Sequence, residues 1–306
     1  MSEQDELHAA LLTRAGRVPD AVLAAARLRL AETGTVDVPE PVVELEFAFR
    51  PALPDPRTFQ HNVPPLLDLA GRDLGDEIDR AAIAAAQRRP DAVALWRAWR
   101  IAPQWAAGTI PPGRVYVLEA NGPQAETTAA MMRELSAAGL DLPQVEVYLS
   151  GAELPAYTLT ARNSGALLWL DGAAPPIRLA RVFDAITETG ARFRPEHEIL
   201  TGDDLEQVAG YLEAGTPVLA TTGRLPDVVE PERGEVVPMS YRTDGRWLWT
   251  DSVTYYLRTY GLAPEPELLA VARTAGFLTP APGPAEQHRA LALLFQSAAI
   301  VPAPAG

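Results

Sequence analysis

A strand–helix–strand pattern lies in the middle of the chain, and it sets the type of sheet that the protein can form. Residues 114–119 are an apolar run typical of a buried strand, and residues 145–149 form a second one. Between them, Asn121-Gly122-Pro123 breaks the chain, and an amphipathic helix is predicted over about 124–138. A unit of this length favours parallel strands joined by a right-handed crossover, so a sheet with helices packed against it is expected.

Around this unit the sequence predicts an α+β (or α/β) protein, in which a helical N-terminal region precedes a mixed β-sheet flanked by helices. A strand is expected at 43–49, where apolar and polar residues alternate. The proline-rich stretch 50–65 is predicted to be a loop because its prolines forbid regular structure. Helices of the N-terminal region are predicted at about 4–15, 19–34, 66–88 and 93–105.

Composition and the proline- and glycine-rich breaks divide the chain into three parts. Residues 1–107 are expected to form a mainly helical N-terminal region, and residues 108–279 an α/β module that contains the mixed sheet. Residues 280–306 are expected to form a linker, a terminal helix and a loose tail. A chain of 306 residues buries a core without disulfides or metals. It has no cysteine, which excludes a thiolate nucleophile and any zinc or iron–sulfur site built on sulfur.

The most informative pattern in the second half is a hairpin at 236–250 that runs into a helix. Asp244-Gly245 suits a two-residue type I′ turn, which would pair Tyr241 with Leu248. Upstream of this hairpin, the patterns predict another hairpin formed by 156–162 and 166–170, a helix around 179–186 and a helix at 202–214.

The negative net charge of the chain indicates which macromolecules it can bind. Acidic residues number 40 against 26 basic ones, a net charge of −14, and they concentrate in residues 108–279. Such a surface repels nucleic acid and attracts a basic protein. All 26 basic residues are arginine, so neither a lysine Schiff base nor a P-loop lysine can form. No signal peptide and no long apolar run is present, so no membrane association is expected and the cytoplasm is the expected location.

The chain lacks the glycine patterns that bind nucleotides and the GxSxG nucleophile motif. Asn121-Gly122-Pro123 does sit between a strand and a helix, where α/β proteins bind anions. Glu119 and Glu126 flank it, however, and their charge disfavours phosphate. The sequence therefore favours a tight connection at this point, and no cofactor is expected.

Four histidines are the remaining candidates for acid–base or metal chemistry. His8 and His288 are predicted on exposed helix surfaces, and His61 lies in the proline-rich loop, where function often resides. The only acid–histidine cluster is Glu196-His197-Glu198. Ligands at such consecutive spacing do not converge on a metal, so no metal site is expected. An enzyme of unknown class would need a site around His61 and the acidic loop 196–204.

One face of the predicted hairpin carries residues that dominate protein interfaces. Trp247 and Trp249 fall on that face with Arg242 beside them, and Tyr255 follows on the next helix. Tryptophan and arginine are enriched among the residues that contribute most to binding. These four residues are therefore predicted to bind a partner, unless helices of the same module cover this face.

The run VVPMSYRTDGRWLWTDSVTYYLRTYGLAPEPELL at 236–269 is similar to a family of actinobacterial proteins of unassigned function. That family resembles immunity or accessory proteins of polymorphic toxin systems, and the resemblance covers about 143–277. It implies an acidic cytoplasmic protein that occludes a partner toxin domain of basic character, and it implies no catalytic residue. The alternatives are the enzyme described above and a scaffold or chaperone of a secretion system.

Overall fold

The computed structural model of the chain describes residues 2–42, 45–53, 63–172, 175–188 and 190–298. Its contacts divide the chain into two compact units. Unit 1 contains Met1–Ala174 with Phe295–Gly306, and unit 2 contains Pro175–Leu294. The expected fold class is confirmed, because helices and mixed sheets alternate along the chain and the N-terminus is helical. The loose tail predicted at the C-terminus lies outside the described residues.

Unit 1 is built around a six-stranded sheet. Its helices are α1 (Glu3–Leu12), α2 (Asp20–Thr33), α3 (Glu77–Gln87), α4 (Gln124–Ala137) and α5 (Ala156–Asn163). Its strands are β1 (Ala48–Arg50), β2 (Leu67–Asp68), β3 (Ala92–Ile101), β4 (Gly113–Ala120), β5 (Gln144–Tyr148) and β6 (Ala166–Leu170).

The predicted strand–helix–strand unit is confirmed as β4, α4 and β5. The two strands pair in parallel, with Val115 opposite Gln144 and Glu119 opposite Tyr148. The sheet order is β2-β6-β3-β4-β5, and β1 also pairs with β3. Strand β3 is antiparallel to β4 and to β6, which makes the sheet mixed. The expected domain boundary after residue 107 falls between β3 and β4, two neighbours in this sheet.

The helix predicted at 93–105 is wrong, because residues 92–101 form the longest strand, β3. Ala94, Leu95, Trp96 and Ala98 are all fully buried, so both faces of the strand are covered. A central strand covered on both faces loses the alternation of apolar and polar residues by which a strand is recognised. Its run of ten residues is as long as a helix and then resembles a buried one.

Two further helix and strand predictions in unit 1 are wrong in part. The helix predicted over 66–88 begins only at α3, where the Asp76 carboxylate accepts hydrogen bonds from the Ile78 and Asp79 N–H groups at 3.0 Å. The first strand of the hairpin predicted over 156–170 is helix α5, and only β6 is extended. Strand β1 lies at the end of the predicted 43–49 strand, of which residues 43 and 44 lie outside the described residues.

Unit 2 contains a four-stranded sheet in the order β10-β13-β14-β7 and two small two-stranded sheets. Its helices are α6 (Gly202–Ala214), α7 (Asp251–Tyr260), α8 (Pro266–Thr274) and the start of α9 (Pro284–Ala298), with a 3-10 turn at Pro231–Arg233. Its strands are β7 (Arg178–Leu179), β8 (Ala185–Thr187), β9 (Gly190–Arg192), β10 (Thr216–Leu219), β11 (Arg224–Pro226), β12 (Glu235–Pro238), β13 (Tyr241–Thr243) and β14 (Trp247–Thr250). The helix predicted around 179–186 is wrong, since this segment forms β7, a loop and β8.

The hairpin of β13 and β14 exists, but its predicted register is wrong. Thr243 pairs with Leu248, and Tyr241 pairs with Thr250. Four residues separate the paired Thr243 and Leu248, because the Asp244 carboxylate accepts from the N–H groups of Arg246 at 2.8 Å and Trp247 at 2.6 Å. The register shifts by two residues, so each side chain keeps its predicted face.

The described helices include none that combines the length and the apolar composition needed to cross a bilayer.

Candidate functional site

The two tryptophans predicted to bind a partner are buried inside unit 2. Trp247 is 5% exposed and Trp249 is fully buried. The Trp249 ring stacks on Tyr211 of α6 at 6.2 Å, and its indole N–H donates to the Leu212 carbonyl at 3.3 Å. The expectation of an exposed tryptophan patch is therefore wrong, because helices of the same unit cover this face of the hairpin.

The other two predicted contact residues are held by partners within unit 2. The Arg242 guanidinium pairs with Asp251 at 2.8 Å and donates to the carbonyls of Glu213 and Gly215, each at 3.0 Å. The Tyr255 hydroxyl donates to the buried Asp227 carboxylate at 2.8 Å. Both side chains bind within their own unit, so a partner would have to replace these contacts.

The residues of the enzyme alternative are not brought together by the described structure. His61 lies outside the described residues. The two ring nitrogens of His197 lie 2.9 Å from the Asp184 carboxylate and 3.0 Å from the Ala263 carbonyl, so both are occupied. In the acidic loop 196–204, the carboxylate of Glu198 pairs with Arg273. Within the described ranges, no group of three or more histidines and carboxylates lies close enough to hold a metal ion.

Unit 1 contains a cavity that the sequence did not predict, with a volume of about 890 Å³. It is lined by residues of α1, by residues 121–124 after β4, and by residues 148–155 at and beyond the end of β5. It therefore lies at the carboxyl ends of two parallel strands, the position where open α/β sheets bind ligands. His8 of α1 lines it, and we call it the His8 cavity.

The floor of the His8 cavity is shaped by a close approach between two connections. The Asn121 N–H donates to the Asp91 carbonyl at 2.8 Å, which draws the end of β4 towards the start of β3. A Cβ atom on Gly122 would lie 1.5 Å from the Asp91 carboxylate, so any larger residue would require the Asp91 side chain to move. Pro123 then precedes helix α4. The Asn121-Gly122-Pro123 break is thus a tight connection, as predicted, and it also lines the cavity.

The sequence predicts His8 on an exposed helix surface, and this prediction is wrong: the side chain is buried, with only 3% of its surface exposed. Its Nε2 atom lies 2.8 Å from the Val147 carbonyl of β5. Burial lowers the pKa of His8 to about 4, so the ring is neutral at neutral pH. A neutral ring that donates from Nε2 carries a lone pair on Nδ1. Nδ1 has no hydrogen-bond partner among the described residues, and it can accept a hydrogen bond from a ligand.

The electrostatics of the His8 cavity favour positive or neutral ligands. Asp5 and Glu153 line it, and no arginine is found among its lining residues. The Ser2 backbone N–H donates to the Asp5 carboxylate at 2.8 Å and holds the pKa of that carboxyl below its usual value. Tyr148 supplies an aromatic wall, and its hydroxyl donates to the buried Glu119 carboxylate at 3.1 Å. The cavity thus presents hydrogen-bond acceptors, and a phosphate would meet fixed negative charge.

The sequence carries two signals for this cavity, and they lie far apart in the chain. The first is the chain break at the carboxyl end of a predicted parallel strand. The second is His8 on the helix that begins at a capping box, where Ser2 and Asp5 satisfy each other's backbone N–H groups. Only the tertiary packing of α1 beside β5 places the imidazole at the break, and no local pattern encodes that contact.

No family model matches this chain, and neither does any curated protein or solved structure. The resemblance to immunity proteins of toxin systems therefore stays a prediction.

Proposed function

We propose that unit 1 binds a small organic molecule in the His8 cavity through a hydrogen-bond donor of the ligand, with a primary amine as the best-fitting group. The observation that carries this proposal is a neutral, buried histidine that lines a cavity with Asp5 and Glu153 but no arginine, and whose Nδ1 has no hydrogen-bond partner among the described residues.

The volume of the His8 cavity suits a small ligand. At about 890 Å³ it falls in the range of small-molecule sites, which are mostly apolar with a few placed polar groups. Ala9, Leu12 and Leu149 supply apolar wall, and Asn121 and Gln124 add amide groups. An ammonium group would donate to His8 Nδ1 while Asp5 and Glu153 offset its charge.

Binding is favoured over acid–base catalysis at this site. A general base works best when its pKa lies near the working pH. Burial lowers the pKa of His8 to about 4, so the ring is a weak base at neutral pH and a good neutral acceptor. The proposed role of His8 is therefore to position a ligand.

Thermal unfolding of the full chain with and without small amines tests this proposal. Saturating n-butylamine should raise the melting temperature of the wild type, because a ligand at about 100 times its Kd adds about 2.7 kcal/mol. Ala9→Phe places a ring into the cavity and should abolish the shift. Ala137→Phe, on the exposed last turn of α4, is the matched control and should keep it. Equal shifts in the two variants would place binding outside the cavity and contradict the proposal.

A second candidate function is the masking of a basic partner protein in the cytoplasm, as the resemblance to immunity proteins implies. The net charge of −14 favours it. Its contact surface would be an exposed acidic one, since the predicted tryptophans are buried. A pull-down from native lysate in low and high salt tests it: a toxin domain that is lost in high salt supports masking, and a secretion component supports the scaffold alternative.

A further inference from the structure

A second cavity of unit 1, of about 730 Å³, is lined by aromatic rings that the folding of the unit does not fully cover. Phe47 and Phe49 meet Tyr157 edge-on, with ring centroids 6.3 and 5.0 Å apart. Trp105 lines the same cavity and is 79% exposed. We call it the aromatic cavity.

The aromatic cavity and the His8 cavity adjoin each other. Thr13, the C-cap of α1, and Pro155, which precedes α5, line both of them. One molecule with two ends could therefore occupy both cavities while its middle passes these two residues.

The aromatic cavity suits an uncharged ring. Arg17 and Glu46 at its wall carry opposite charges. The Arg100 guanidinium lies 4.6 Å from the centre of the Phe47 ring, but it is buried and paired with Asp20 at 2.5 Å, so its charge is already balanced. Aromatic rings attract one another in the edge-on geometry that Phe47, Phe49 and Tyr157 already show.

Trp105 is the most exposed of the large aromatic residues that line this cavity, at 79%. Tryptophan is highly buried on average, and contiguous apolar patches rather than single exposed residues mark ligand-binding grooves. Trp105 belongs to such a group, since Phe47, Phe49 and Tyr157 line the same cavity. A ligand ring seated in the cavity would cover part of the indole and so remove apolar surface from water.

We propose that the two cavities are subsites of one binding site, which takes an arylalkylamine: the amine in the His8 cavity and the aromatic ring in the aromatic cavity. This inference rests on the proposed function of the His8 cavity and adds the second half of the ligand to it.

Calorimetric titration of the full chain with n-butylamine, 4-phenylbutylamine and benzylamine tests the inference. We expect 4-phenylbutylamine to bind at least about tenfold more tightly than n-butylamine, because joining two groups makes the second contact intramolecular. Benzylamine, with its short linker, should gain less. Trp105→Ala should bring the affinity for 4-phenylbutylamine close to the affinity for n-butylamine measured on the same variant.

Fluorine NMR of protein labelled with 5-fluorotryptophan supplies an independent readout. The Trp105 resonance, assigned by its absence in Trp105→Phe, should move with 4-phenylbutylamine and stay in place with n-butylamine. If n-butylamine binds and the ring adds less than about tenfold, the two-subsite inference is overturned and the proposed function stands. If neither amine binds, the proposed function is overturned, and the inference with it.

Discussion

His8 in unit 1 and His197 in unit 2 are both held by hydrogen bonds, but they differ in how many of their ring nitrogens have a partner. In unit 2, His197 meets an acceptor at each ring nitrogen, the Asp184 carboxylate and the Ala263 carbonyl. In unit 1, His8 meets one acceptor, the Val147 carbonyl, and lines a cavity. A side chain whose hydrogen-bonding groups are all satisfied stabilises the fold, whereas one with a free acceptor at a cavity is available to a ligand.

The aromatic residues of the two units differ in the same way. Trp249 is fully buried and packs on Tyr211, while Trp105 is 79% exposed at a cavity. A tryptophan in a sequence predicts either a core or a binding surface, and only its surroundings decide which. The tryptophans of the hairpin belong to the core of unit 2, whereas the proposed ligand site lies in unit 1.

The largest expected effect follows from removing the core tryptophan. Trp249→Ala should lower the free energy of unfolding of unit 2 by about 3–5 kcal/mol, because it removes a fully buried ring and leaves a cavity. Urea denaturation followed by the amide NMR signals of α6 and α7 measures it. A Trp249→Ala protein that keeps its stability would reassign this residue to a surface role and reverse the comparison.

The next effect is a pH dependence confined to unit 1. The pKa of His8 is about 4 in the folded chain and about 6.5 when exposed in the unfolded chain. The unfolded chain therefore binds a proton first as pH falls. The stability that depends on a neutral His8 ring is fully present above pH 6.5. It is lost as the pH falls towards 4, which lowers the free energy of unfolding by about 3 kcal/mol in all.

The groups around His8 define the control for that experiment. Asp5 lies on its own helix, Arg27 on α2 and the Val147 carbonyl on β5. His8→Gln keeps a side-chain N–H that can face Val147 and does not titrate in this range. The free energy of unfolding of the wild type and of His8→Gln is measured through the amide signals of β5. The difference between the two proteins should become smaller as the pH falls from 6.5 to 4. An NMR titration that gives His8 an ordinary pKa would contradict the buried neutral ring.

The fold was predictable where a short apolar run ends at a chain break, and less so where the run is as long as a helix. Strands β4 and β5 are buried on both faces, as β3 is, but they are short, whereas β3 has ten residues. The β4–α4–β5 unit and the helix after Thr250 follow from periodicity and chain breaks. Strand β3 was predicted as a helix because its two buried faces erase the alternation and its length is that of a helix. The hairpin register depended on the Asp244 carboxylate, which binds two backbone N–H groups and lengthens the turn.

The candidate site could not be predicted from local patterns because its parts come from distant positions. His8 and Val147 are 139 residues apart in the chain, and their contact depends on how α1 packs. The predicted partner-binding face failed for the same reason, since α6 covers Trp249 from outside the hairpin. Sequence periodicity assigned the correct face to each side chain, but it could not show what lies against that face.

A smaller effect concerns Tyr255, which the sequence assigned to partner binding. Its hydroxyl is one of four groups that donate to Asp227, together with the Tyr260 hydroxyl and the N–H groups of Val229 and Glu230. Tyr255→Phe should lower the free energy of unfolding of unit 2 by about 1 kcal/mol, the net contribution of one hydrogen bond. It should leave amine binding unchanged, and altered amine affinity would tie unit 2 to the site.

The smallest expected effect on stability sharpens the comparison most. Trp105→Ala should change the free energy of unfolding by less than about 0.5 kcal/mol, because the side chain is 79% exposed and covers little apolar surface. Urea denaturation of this variant beside Trp249→Ala compares the same substitution in two surroundings. If Trp105→Ala destabilised unit 1 as strongly as Trp249→Ala destabilises unit 2, Trp105 would be a structural residue. A stable variant that loses only the contribution of the ligand ring instead separates the exposed tryptophan of the site from the buried one of the core.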